Sequence, residues 1–105
     1  MARLSSLFRK KNKTTRHFRE QFKRLPKSTR ELSRQAAQDF FDHPEKHGLR
    51  IHHLHNNSVG RHRDGSISVS ISNRYRAIYY INEDGLNIWY WIGSHSAYNT
   101  FTGSS

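Results

Sequence analysis

The chain has 105 residues, a formal net charge of +10, 33% hydrophobic and 12% aromatic residues, and no cysteine. That length suits one domain and excludes two, and the missing thiols exclude disulfides and thiolate metal sites, which fits a reducing compartment. Twelve of the 18 Lys and Arg fall in residues 1–34, opposed there only by Glu20 and Glu31, a lopsided charge that points to a polyanion rather than a neutral small molecule.

Residues 1–13 carry Arg9, Lys10, Lys11 and Lys13 with little to bury, and read as a flexible basic arm. The opening from Met1 to Phe8 is too short and interrupted for a secretory signal. No apolar run approaches the roughly 20 residues needed to span a bilayer. The chain therefore reads as cytoplasmic, with no membrane partner and a single domain over residues 14–105. Thr14 and Thr15 can cap a first helix whose apolar stripe is Phe18, Phe22 and Leu25. Arg16, Arg19, Lys23 and Arg24 fill its other faces, where they suit contacts with nucleic-acid phosphates. Pro26 closes that helix and opens a second, which carries Leu32, Ala36 and Phe40 and ends before Pro44. Two amphipathic helices with a short joint make an αα-hairpin.

Beyond Gly48 the pattern is strand. Leu49 to Leu54 is the first, followed by a loop from Asn56-Asn57 to Asp64-Gly65. In Ser66 to Ser72, serine alternates strictly with β-branched residues, which predicts one wet face and one buried face. Arg74 to Ile81 is a third strand, Asn82 to Gly85 a turn, and Leu86 to Ile92 a fourth strand. Short turns predict an antiparallel meander. The expected fold is α+β, an N-terminal αα-hairpin packed on a four-stranded antiparallel sheet. Trp89 and Trp91 alternate with Ile88, Tyr90 and Ile92, which puts rings on both faces. One face packs on the helices and the other is able to stack on bases.

Two segments carry a family likeness, Tyr75-Arg76-Ala77-Ile78-Tyr79 and Trp91-Ile92-Gly93-Ser94-His95-Ser96-Ala97-Tyr98. With Phe18…Leu25-Pro26, His43-Pro44 and Leu49…His52…Leu54 in order before them, they resemble the RelE/ParE superfamily of type II toxin–antitoxin toxins. The resemblance implies a toxin held by an acidic antitoxin protein. RelE-like members cut messenger RNA at the ribosome, whereas ParE-like members poison DNA gyrase and lack the cleaving residues. A third possibility is a non-toxic nucleic-acid-binding module on the same fold.

RNA is cut without metal when its own 2′-hydroxyl attacks the neighbouring phosphate. That needs a base, a cation for the developing charge, and an acid for the leaving oxygen. Arg76 matches the family's strand arginine and suits the phosphate clamp. His95, just past the last strand, matches a histidine used for acid–base work in related nucleases. Tyr98 matches the closing tyrosine; in some members a nearby tyrosine stacks on a base or aids proton transfer, and packing against the sheet is the alternative role, while His52 matches a histidine catalytic in some members. Arg74 joins the helix cations as a nucleic-acid contact. The acidic and additional histidine residues of the histidine-dependent subgroup have no match in Ser68-Val69-Ser70-Ile71-Ser72. His43, His47, His52, His53, His55 and His62 cluster in sequence, but none is paired with a second ligand at a recognised spacing on one rigid element. No metal and no cofactor are expected.

Overall fold

Thr15 begins the helical part of the chain. Its backbone is extended (φ −80°, ψ 162°), and its hydroxyl accepts from the Phe18 N–H at 3.1 Å, satisfying a donor that a helix start leaves open. The computed structural model describes residues 12–42, 50–55 and 57–103. Helix α1 spans Arg16–Lys23 and α2 spans Lys27–Asp42. Pro26 stands at their joint, and its carbonyl accepts the first bond of α2 from Arg30 at 3.0 Å. Residues 1–11 of the basic arm, the His43-Pro44 helix end and Leu49 lie outside the described residues.

The sheet has five strands, one more than expected, and is mixed. Its members are β1 (Asn12–Thr14), β2 (His52–His53), β3 (Ile67–Ser70), β4 (Tyr75–Ile81) and β5 (Asn87–Ser94), in the order β1-β5-β4-β3-β2. Strands β2 to β5 form the antiparallel meander, while β1 runs parallel to β5, with Asn12 opposite Asn87 and Thr14 opposite Trp89. Residues 12 and 13 thus belong to the sheet and not to a free arm. The three polar residues of β1 show no apolar alternation. Pairing comes instead from the backbone and from the Asn12 side-chain oxygen, which accepts from Asn87 Nδ2 at 3.1 Å and from Trp89 Nε1 at 2.9 Å. Past the end of β1, Gln21 of α1 takes over the edge by accepting from the Ile92 N–H at 3.0 Å. The first meander strand shrinks to two residues, preceded by Arg50 at φ 42°, a left-handed conformation that extended strands do not contain.

Helices cover both faces of the sheet, which the serine pattern did not suggest. On one face lie α1 and α2, with Phe18, Phe22 and Leu25 against Ala77 and Ile92, and Ala36 and Phe40 against Ile67, Val69, Tyr79 and Trp89. Leu32, expected on this stripe, is 49% exposed, and Thr29 and Ser33 are buried in its stead. Ser33 can be buried because its hydroxyl donates to the Thr29 carbonyl at 2.8 Å. A cavity of about 230 Å³, lined mainly by apolar side chains, remains between α2 and the sheet.

The opposite face carries an unexpected helix, α3 (His95–Thr102). Ser94 caps its start by accepting from the Ala97 N–H, and Gly103 ends it in the left-handed conformation at φ 71°. Its Tyr98 and Phe101 pack over Ile78 and Trp91. This helix explains why the serine face is dry. Ser66, Ser68 and Ser70 are buried, and the first two pair with phenols, Ser66 with Tyr90 at 2.6 Å and Ser68 with Tyr98 at 3.1 Å. Small hydroxyl side chains leave room for rings and satisfy their polar ends.

Strict alternation fails in β5. Ile78 is opposite Trp91 and Tyr79 opposite Trp89, so Tyr90 is the extra residue of a β-bulge. Trp89 therefore faces α1 and α2, while Tyr90 and Trp91 both turn to the α3 side. Pure alternation would have put the two tryptophans on one face.

Candidate active site

Strand alternation puts Arg76 on the α3 face, one step before the fully buried Ile78. Its register partner is Gly93, and a Cβ there would sit 2.9 Å from the Trp91 ring. The missing side chain thus lets Trp91 fold across the strand beside Arg76. Directly after Gly93-Ser94 the chain turns into α3. The His95 N–H donates to the Arg74 carbonyl at 2.6 Å, which ties the helix start to the start of β4. Arg74, Arg76 and His95 are thereby gathered at one end of the sheet.

The Arg76 guanidinium donates through Nε to His95 Nδ1 at 3.3 Å. Because Arg is only a donor, Nδ1 is the acceptor and a neutral ring carries its hydrogen on Nε2. The guanidinium carbon lies 5.0 Å from the centre of the Tyr98 ring, and the His95 and Tyr98 rings are 6.2 Å apart and nearly parallel, at 18°. Tyr98 is buried and its hydroxyl is turned inward to Ser68, so it acts as the floor of the site. His95 is exposed. Arg76 Nη1 is buried, yet it meets no hydrogen-bond acceptor among the described residues. Leaving such a donor unmade costs about 1–3 kcal/mol, more for a charged group. Among the described residues no carboxylate pairs with this guanidinium, the one ion pair being the exposed Arg16–Glu20.

The other candidates fall elsewhere. His52 shares the Arg76 face, since it is opposite Ser68, but it is exposed and two strands away, a lateral separation of about 10 Å. Arg16, Arg19, Lys23 and Arg24 belong to the helix layer on the opposite side of the sheet. Arg19 is held there by the Thr14 carbonyl at 2.6 Å and hydroxyl at 3.1 Å. The candidate nucleic-acid contacts are thus split: the four helix cations lie on one side of the sheet, and Arg74 lies just before β4 at the end that holds Arg76 and His95. Ser68 and Gly93 shape the site without having been singled out. The signal for Ser68 was its alternation with β-branched residues, whose small side chains fit under rings as well as they fit under water.

His62 is buried in the loop before β3, its Nε2 at 2.6 Å from the His55 carbonyl and its Nδ1 without a partner among the described residues. No group of three or more potential metal ligands occurs among the described residues. Among them, too, no helix is long and apolar enough to cross a membrane.

No protein-family model matches the chain, and no curated protein does. Among solved structures it is similar to a chain in the crystal structure of the archaeal RelE–RelB complex from Pyrococcus horikoshii OT3. The TM-score is 0.58 and the identity 14%, over 79% of this chain and 91% of that one. At that identity the likeness is one of architecture: the chain has a RelE-like fold.

Proposed function

We propose that the protein is the toxin of a toxin–antitoxin pair and cleaves RNA without metal, with messenger RNA as substrate and an acidic antitoxin as its inhibitor. The observation that carries the reading is the Arg76–His95 contact, with one buried guanidinium N–H left without an acceptor. A phosphodiester supplies that acceptor, and the planar fork of arginine matches two phosphate oxygens. As Arg76 turns to phosphate it releases His95 Nδ1, whose lone pair can then take the proton of the 2′-hydroxyl. The 2′ oxygen bonds to phosphorus, the bond to the 5′ oxygen breaks, and a 2′,3′-cyclic phosphate and a 5′-hydroxyl result. The Tyr98 hydroxyl is turned away, so the leaving oxygen takes its proton from water, which reaches the exposed His95. Arg74 holds a neighbouring phosphate, and the acidic antitoxin is drawn by a charge of +10.

The test is expression of Arg76→Ala and His95→Ala variants with mapping of RNA ends. Loss of cleavage and of growth arrest together supports the nuclease. Full toxicity in the double variant overturns it. A specific observation favours the gyrase-inhibitor alternative: Tyr98 is turned inward and His52 is two strands away, which leaves one base and one clamp. Toxicity that survives both substitutions, with accumulating DNA breaks, is the outcome that selects it.

A further inference from the structure

The α3 face has a second arginine–aromatic cluster at the far end of β4. Arg63, in the loop before β3, places its guanidinium carbon 3.9 Å from the centre of the Tyr80 ring. Tyr80 meets Tyr90 edge to face at 5.6 Å. The Tyr90 hydroxyl accepts from the Arg63 N–H at 3.0 Å and pairs with Ser66, so loop and ring hold each other in place. The bulge in β5 makes this possible by turning Tyr90 to the side of Tyr80.

From there rings continue across the face. Tyr90 is 6.3 Å from Phe101, Phe101 stacks on Trp91 at 5.2 Å, and Trp91 lies 6.1 Å from Tyr98, the floor beneath Arg76. Tyr80, Tyr90 and Phe101 are half-buried and Arg63 is exposed. Trp91 and Tyr98 are buried, so the ring surface that solvent reaches lies toward the Arg63 end, and an arginine stands at each end of the series.

We infer that Arg63, Tyr80 and Tyr90 form a second nucleotide subsite, which binds a base of the same RNA strand a few nucleotides from the phosphate held by Arg76. The inference rests on the RNA reading above. Tyr80 is four strand residues from Arg76, about 13 Å along β4, a distance that an extended single strand crosses in a few nucleotides. A guanidinium placed over one ring leaves its outer side for a base and its N–H groups for a phosphate. Rings and arginines are the sequence-tolerant means by which proteins hold single strands. Asp64 follows Arg63 and Glu83 and Asp84 occupy the β4–β5 turn, yet none of them forms an ion pair with Arg63. An oligonucleotide fits this strip better than a duplex, whose stacked bases would leave the rings unused.

The experiment compares binding of an adenosine dinucleotide with that of an oligoadenylate of about ten nucleotides, by fluorescence anisotropy, in a His95→Ala background that leaves RNA intact. Arg63→Ala is expected to weaken the longer strand about 10-fold and to leave the dinucleotide unchanged. Arg63→Lys, which keeps the charge but not the plane, falls between. Equal affinity of the His95→Ala protein with and without Arg63→Ala for the longer strand overturns the inference while leaving the cleavage reading intact. So does equal weakening at both lengths. If the unsubstituted protein binds neither RNA, both readings fall.

Discussion

The two faces of the sheet bury side chains by different means. The α1/α2 face is a mainly apolar core of phenylalanine, isoleucine, valine, leucine and alanine, with Tyr79 and Trp89 packed among them. The α3 face replaces much of that with serine hydroxyls, tyrosines, a glycine and an arginine. Apolar contact supports a fold with no demand on direction, whereas the second face spends polar groups on positions and leaves one of them unsatisfied. Stability and chemistry are thereby divided between the faces, and substitutions should separate them.

The largest effect is expected at His95. His95→Ala should lower RNA cleavage about 10²–10⁴-fold while thermal unfolding stays within error, because the ring is exposed and its removal opens no cavity. Arg76→Ala should lower cleavage about 10²–10³-fold, and Arg76→Lys should recover little, since an ammonium lacks the fork. The double variant should be no worse than the poorer single one if the two act as a unit. Cleavage assays with matched melting curves check all three, and a marked loss of stability in His95→Ala would break the division between the faces.

Next comes the opposite experiment. Ile92 is buried among Leu25, Ala77 and the α1 phenylalanines, and Ile92→Ala should cost about 2–5 kcal/mol, much of the stability of a small domain. Denaturant unfolding reads this directly. The cleavage rate per folded molecule should be nearly unchanged. Ser68→Ala sits between the extremes. It deletes the partner of the Tyr98 hydroxyl in a buried place, which should cost about 1–3 kcal/mol. It should also loosen the floor under Arg76, so cleavage falls several-fold. Substituting Tyr98→Phe together with Ser68→Ala removes both polar ends and should restore part of the stability without restoring the bond.

What could be read from the sequence follows the same division. Phe18, Phe22 and Leu25 announced α1 because apolar residues at helical spacing have one reading, and Arg74 to Ile81 announced β4 because its long run of β-branched and aromatic residues has one too. The polar elements have several. Thr29 and Ser33 are buried where Leu32 was expected, and the Ser33 hydroxyl needs no water because it donates to the Thr29 carbonyl. The serines of β3 looked wet because the helix that dries them comes later in the chain. That helix had its caps in plain view at Ser94 and Gly103, but its stripe is a tyrosine and a phenylalanine three residues apart, too few to outweigh a tail. Arg76 was found from the strand motif Tyr75 to Tyr79 and His95 from the closing motif, while the contact between them depends on the Arg74 carbonyl bond at the start of α3. Tertiary contacts of that kind leave no local periodicity.

The smallest effect belongs to the apolar face and appears only in alkali. Burial among Phe40, Trp89 and Val69 pushes the Tyr79 hydroxyl above its ordinary value of 10.0, because desolvation penalises the phenolate. The sign follows from proton counting. Above pH 10 the unfolded chain gives up this proton while the folded chain still holds it, so the folded state binds more protons and stability falls as pH rises. The contribution is fully present below pH 10 and is lost as pH climbs through the raised value. Tyr79→Phe removes the proton and with it this slope. Melting temperatures of the two proteins should therefore run parallel at neutral pH, and in alkali that of the unsubstituted protein should fall relative to that of Tyr79→Phe. Parallel curves to the top of the accessible range would mean that Tyr79 reaches solvent, and that the α1/α2 face is open enough to hydrate a phenolate.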